Sequence, residues 1–197
     1  QTWYSTMFPV IFATNSFLTT WALAIVIFLA LQQHGYMPHR HTNQDQINLG
    51  SFLLAFTLFW SYTNFSQFML IWAGNLPEEI PYYLRRSREG WQWMGYALVI
   101  FHFACPFILL LFRPLKESAK RLTQISLGLL VICAVDVIWW IEPCRSHDGQ
   151  FVFWIMDVGA ILGVGGLTGW MFVHNLSQRP LMPIHEGKWL EEDHPHG

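Results

Sequence analysis

Five blocks of apolar residues, at about 8–31, 49–72, 91–112, 122–141 and 151–173, divide the chain, with short polar stretches between them. At 1.5 Å of rise per residue, a helix of roughly 20 residues crosses the ~30 Å hydrocarbon core of a bilayer. The pattern predicts an all-α membrane protein whose five transmembrane helices form one bundle over residues 1–176, followed by a cytoplasmic tail at 177–197. A composition of 53% hydrophobic and 12% charged residues is far from that of an ordinary soluble domain, and a net charge of −2 suggests no nucleic-acid partner.

The second block is apolar only at its ends. Ser61, Tyr62, Thr63, Asn64, Ser66 and Gln67 occupy its middle, and at 100° per residue they point in many directions. Such groups cost several kcal/mol each in hydrocarbon unless neighbouring helices or trapped water satisfy them, which places this helix inside the bundle.

An odd number of spans puts the termini on opposite sides. Arg40, Arg113, Lys116, Lys120, Arg121, Arg179 and Lys188 share one face, against Arg85, Arg86, Arg88 and Arg145 on the other. Seven against four predicts an outside N-terminus and a cytoplasmic C-terminus. No basic leader precedes the first block and the chain opens on Gln1, so we expect it to be a piece of a longer protein.

Asp136 and Asp157 are the sharpest chemical signals. Asp136 lies five residues before the outer end of the fourth block and Asp157 six after the outer start of the fifth. Both therefore fall about 8–9 Å below the outer boundary on neighbouring antiparallel helices. Two carboxylates in one dry site do not both ionise, which suits a proton relay; the alternative is that each is a structural acid bonded to a Trp N–H, a hydroxyl or a lysine. Gln67, Asn64 and Tyr96 share the outer half of the bundle and His102 lies near its middle, so these six residues are candidates for one proton path. For His102 alone, and for the polar residues of the second block, the competing role is interhelical hydrogen bonding.

Redox and metal sites find little support. Without a Cys-x-x-Cys-His motif there is no covalent haem, and of nine histidines only His102 is central, with His174 at the edge of the fifth block. His34, His39 and His41 lack zinc spacing. Cys105 and Cys133 read as small packing residues, and Cys144 lies in a loop. No metal and no intrinsic cofactor is expected. The rim after the second block carries Glu78 and Glu79 between Pro77 and Pro81, then Arg85 and Arg86, with Tyr82 and Tyr83 at headgroup level. It suits either interfacial anchoring or the docking of an extramembrane partner.

The runs WYSTMF at 3–8, FTLFWSYTNFSQFMLIW at 56–72 and NLPEE at 75–79 resemble, in order and spacing, the F-type membrane subunit of alternative complex III. That complex is a bacterial quinol:cytochrome c oxidoreductase, and the subunit belongs to the polysulfide-reductase (NrfD-like) membrane superfamily. The resemblance covers essentially the whole chain as the C-terminal half of a ten-helix subunit. It implies a bacterial cytoplasmic membrane and lipids around the bundle. It also implies a paralogous membrane subunit, with iron–sulfur and haem c subunits as partners, and no redox centre in this chain. A structural and proton-conducting role in electron transport is then expected. The alternatives are a quinol pocket of its own, in which His102 or Asp136 takes the quinol proton, a filled scaffold, and half of a secondary transporter.

Overall fold

The computed structural model describes residues 7–36, 43–87, 90–145 and 155–178. Among these every regular element is helical. The chain forms two compact units, Gln1–Val152 and Phe153–Gly197. The residues 3–6 of the first motif, Arg88 and the tail from 179 onward lie outside the described residues.

In the first unit, α1 (Phe8–Gln33) opens with Pro9 in its first turn, where no backbone donor is needed. α2 (Asn43–Gly74) stops at Asn75, which takes a left-handed φ of 44° and returns its N–H to Ile71 at 3.1 Å. After a turn through Glu78 and Glu79 comes the short α3 (Pro81–Arg86). One continuous helix follows, made of α4 (Trp91–Leu98), a π-helical stretch (Val99–Ala104) and α5 (Cys105–Leu111). The short α6 (Arg113–Lys116) leads into α7 (Ala119–Arg145). The second unit contains α8 (Ile155–Ser177).

Three helices among the described residues, Phe8–Gln33, Trp91–Leu111 and Ala119–Ile141, are long and apolar enough to cross a membrane. The protein is therefore all-helical and membrane-embedded. α2 is longer still at 32 residues, but the polar run from Ser61 to Gln67 and its polar start keep it outside that group.

Most buried positions follow a seam. On α1 these are Ile11, Asn15, Leu18, Ala22, Ile25 and Leu29, with Thr14 buried beside Asn15; on α7 they are Leu122, Ser126, Leu129, Cys133, Asp136 and Trp140. Both sets step by four and three, the 3.5-residue repeat of left-handed antiparallel packing. α2 keeps the repeat over Gln46, Gly50, Leu53, Thr57 and Trp60, and then buries Thr63, Gln67 and Ile71 at steps of three, four and four. Its other side is open, with Tyr62 67% and Phe65 62% exposed, so the polar middle of α2 is enclosed on one face rather than all round. Since lipid is as apolar as leucine, close contact rather than water exclusion holds such helices together.

The third span departs from the rule, because Leu98, His102, Pro106 and Leu110 are buried at intervals of four. Four-residue steps drift by 40° each on a regular α-helix. The wider π turns absorb that drift, and their cause is Pro106. It cannot donate to the His102 carbonyl four residues earlier, and its ring would collide with that carbonyl in an α turn. The Cys105 N–H reaches back instead to Ile100.

Two buried cations fix the ends of this unit. Arg86 is 3% exposed and donates Nη2 to the Trp140 carbonyl at 2.7 Å, Nε to the Trp139 carbonyl at 3.2 Å and Nη1 to the Tyr82 carbonyl at 2.9 Å. Its guanidinium also lies 3.6 Å above the Tyr82 ring. Pro143 has no N–H to give the Trp139 carbonyl, so Arg86 supplies the donor that α7 lacks. At the other end Lys116 Nζ donates to Ser51 Oγ at 3.2 Å. Its stem fills the space left by Gly50, where a Cβ would come within 2.8 Å of Lys116 Cγ.

Candidate functional site

Three helices meet at one polar knot inside the first unit. Trp60 of α2 donates its indole Nε1–H to Asp136 Oδ2 of α7 at 2.9 Å. The same indole stacks on the His102 imidazole, with ring centroids 3.7 Å apart and planes inclined by 24°. His102 Nε2 lies 3.5 Å from Cys133 Sγ, and Nδ1 lies 3.9 Å from Asp136 Oδ2. His102 is 0% exposed and Asp136 1%.

The local sequence explains each placement. Cys133 and Asp136 are three residues apart, one turn along the buried seam of α7, so they present a thiol and a carboxylate to the same neighbour. The π turns hold His102 in the stripe of Leu98 and Pro106, facing both. Trp60 occupies the matching seam position of α2, so a single side chain binds the carboxylate through its edge and covers the imidazole with its face.

Two acceptor or donor atoms here have no protein partner: His102 Nδ1 and Asn15 Oδ1. A separation of 3.9 Å is too long for a direct hydrogen bond from Nδ1 to Oδ2. A buried polar atom left without a partner costs about 1–3 kcal/mol. α1 runs antiparallel to α7, with Phe8 and Phe12 against Trp140 and Thr19 against Cys133. That register brings Asn15, 4% exposed, to the level of Asp136.

The expected proton-path residues are only partly brought together. Asp136 and His102 are neighbours. Asn64 is half-buried and bonds back onto its own helix, donating Nδ2 to the Trp60 carbonyl at 3.0 Å, and Gln67 is buried two turns from Trp60. Tyr96 is 60% exposed and packs edge-on against Trp93, away from the knot. Asp157 belongs to α8 in the second unit, and its side chain lies outside the described residues. The carboxylate at Asp136 is thus matched with an imidazole, and the structural alternative foreseen for it, a Trp N–H, is present as well.

At the rim, Glu78 and Arg85 are exposed and Glu79 is half-buried. Arg86 departs from the docking expectation: it is buried, with its guanidinium on three backbone carbonyls and over the Tyr82 and Trp139 rings. Tyr83 packs edge-on against Phe68 and Tyr82, and burial, with Tyr82 adding to it and Arg86 opposing, pushes its hydroxyl pKa above the ordinary 10.0. On α8, His174 is exposed, stacks on Trp170 at 5.5 Å and lies 3.0 Å from Gln178 Nε2.

Sequence reasoning did not single out Trp60, Cys133 or Asn15 as site residues. The available signal was their shared seam: each falls on the four-and-three repeat that also carries Asp136 or its facing residues.

Fold and site together define a membrane-embedded helical protein that shelters a carboxylate–imidazole pair. No protein-family profile and no curated protein matches the chain.

Proposed function

We propose that this chain is an integral membrane subunit of a bacterial quinol:cytochrome c oxidoreductase of the alternative complex III type, handling protons without a redox cofactor of its own. The observation that carries the proton-handling part is the His102–Asp136 pair, 3.9 Å apart and sealed within apolar helices. Ionisable groups at such depth are costly and mark proton or ion pathways by default. The assignment to this complex rests on the runs at 3–8, 56–72 and 75–79.

On this reading the chain spans the cytoplasmic membrane five times, as half of a ten-helix subunit with its N-terminus outside. Its partners are the paralogous membrane subunit and the iron–sulfur and haem c subunits. Quinol chemistry belongs to a neighbour, because a quinol hydroxyl must reach within hydrogen-bond distance of its base and both His102 and Asp136 are closed off by Trp60 and Cys133.

The test is purification through a tag on this chain from solubilised native membranes. Expected are c-type haem absorbance and quinol:cytochrome c reductase activity in the same fraction. A chain that purifies free of both refutes the proposal. In the intact complex, Asp136→Asn is expected to reduce proton movement per electron at least tenfold in vesicles.

A further inference from the structure

We propose that His102 Nδ1 and Asp136 Oδ2 jointly bind one internal water and one exchangeable proton, with Trp60 as the positioning residue. The inference deepens the proton-handling reading above and is independent of which complex contains the chain.

Both atoms belong to side chains at least 99% buried, and Nδ1 has no protein partner. At 3.9 Å they are too far apart for a direct bond, yet an oxygen placed ~2.8 Å from each bridges them. Buried waters occupy such positions when two to four polar groups converge. Asn15 Oδ1 on α1 is likewise buried and unpartnered, at the level of Asp136. The far nitrogen of the imidazole is already engaged by the Cys133 thiol, so the ring cannot turn to satisfy Nδ1 without losing that contact.

The proton count follows from the surroundings. The helices packed round the pair bring Trp60, Asn15, Thr19 and Cys133, of which only the thiol titrates and none carries a fixed charge. With one proton the pair is neutral overall, whereas removing it leaves a lone carboxylate and adding a second leaves a lone imidazolium. Each of those lone charges is disfavoured in a dry bundle. In the transfer step, Asp136 gives its proton to the water oxygen while the water gives one of its own to His102 Nδ1. The result is a carboxylate and an imidazolium, with the water regenerated and no electron moved.

Trp60 positions both partners. Its N–H holds Oδ2, the oxygen nearest Nδ1, and its ring fixes the imidazole plane, so neither group can swing away while the indole stays in place.

Infrared difference spectroscopy of the protein purified from its native membrane, with whatever subunits accompany it, tests this. The wild type is expected to show a protonated-carboxyl band that moves down in D2O and is missing in Asp136→Asn. It should also show a water band that moves in H2-18O and is missing in His102→Gln. Trp60→Phe, which keeps the stack and removes the donor, is expected to keep the carboxyl band and shift it upward. Should Asp136→Asn fail to fold, the Trp60→Phe shift identifies the band. A wild type without an oxygen-18-sensitive band that depends on His102, or a carboxyl band unmoved by both variants, overturns the proposal. Because no quinol turnover is measured, these spectra stand or fall separately from the assignment to the oxidoreductase.

Discussion

Arg86 offers the most quantitative test of how the first unit is held. In Arg86→Ala the Tyr82 carbonyl can be served within α3 and the Trp140 carbonyl within α7, but the Trp139 carbonyl cannot, because Pro143 has no N–H. One orphaned carbonyl costs about 1–3 kcal/mol. Loss of the guanidinium 3.6 Å above the Tyr82 ring adds about 0.5–2 kcal/mol. The sum predicts a loss of about 2–5 kcal/mol, large for one residue of a membrane bundle. Unfolding by SDS titration in mixed micelles measures it, and Arg86→Lys should lose part of the same amount because a compact ammonium lacks the planar fork that spans these carbonyls and lies over the Tyr82 ring. The decisive variant is Pro143→Ala. Restoring a donor to Trp139 should recover about 1–3 kcal/mol in the Arg86→Ala background and change the wild type little, a coupling visible in a double-mutant cycle. If the two substitutions simply add, the capping account of Arg86 is wrong.

Three further outcomes follow from geometry already given. Gly50→Ala forces the Lys116 stem out of its slot and breaks its bond to Ser51, and it should cost about 1–3 kcal/mol in the same titration; a neutral result would mean that α6 yields freely. Pro106→Ala returns a donor to the His102 carbonyl and lets the π stretch wind as an α-helix. It is expected to abolish the water band assigned to His102 while leaving helix content, followed by circular dichroism, unchanged. Tyr83 is held above its ordinary pKa of 10.0 in the fold, so the unfolded chain releases that proton first as pH rises. The stabilisation is complete below pH 10 and is lost progressively above it, and Tyr83→Phe should flatten this alkaline decline in a stability–pH curve.

Much of this architecture is legible in the sequence. The apolar blocks mark α1, the helix from Trp91 to Leu111 and α7, because length and hydrophobicity decide membrane spans with little help from tertiary contact. Asp136 and His102 stand out singly for the same reason, as ionisable groups where none is cheap. Their partnership does not, since depth along a helix says nothing about azimuth. Depth pairs Asp136 with Asp157, whereas the azimuth of His102 is set by π turns whose only trace is Pro106 four residues on. Arg86 misleads in the opposite direction. A juxtamembrane arginine beside two glutamates looks like a rim charge, and its burial becomes understandable only when Pro143, 57 positions away, is seen to leave a carbonyl without a donor.

α7 is held like a beam fixed at both supports. Lys116, three residues before its start, is tied to α2 through Ser51, and Arg86 grips the carbonyls of Trp139 and Trp140 near its far end. Asp136 sits on the span between these fixings and has little freedom to travel. Rearrangement at the polar knot is then left to the helix opposite, whose π turns carry His102, and it requires the Trp60 indole to give way first.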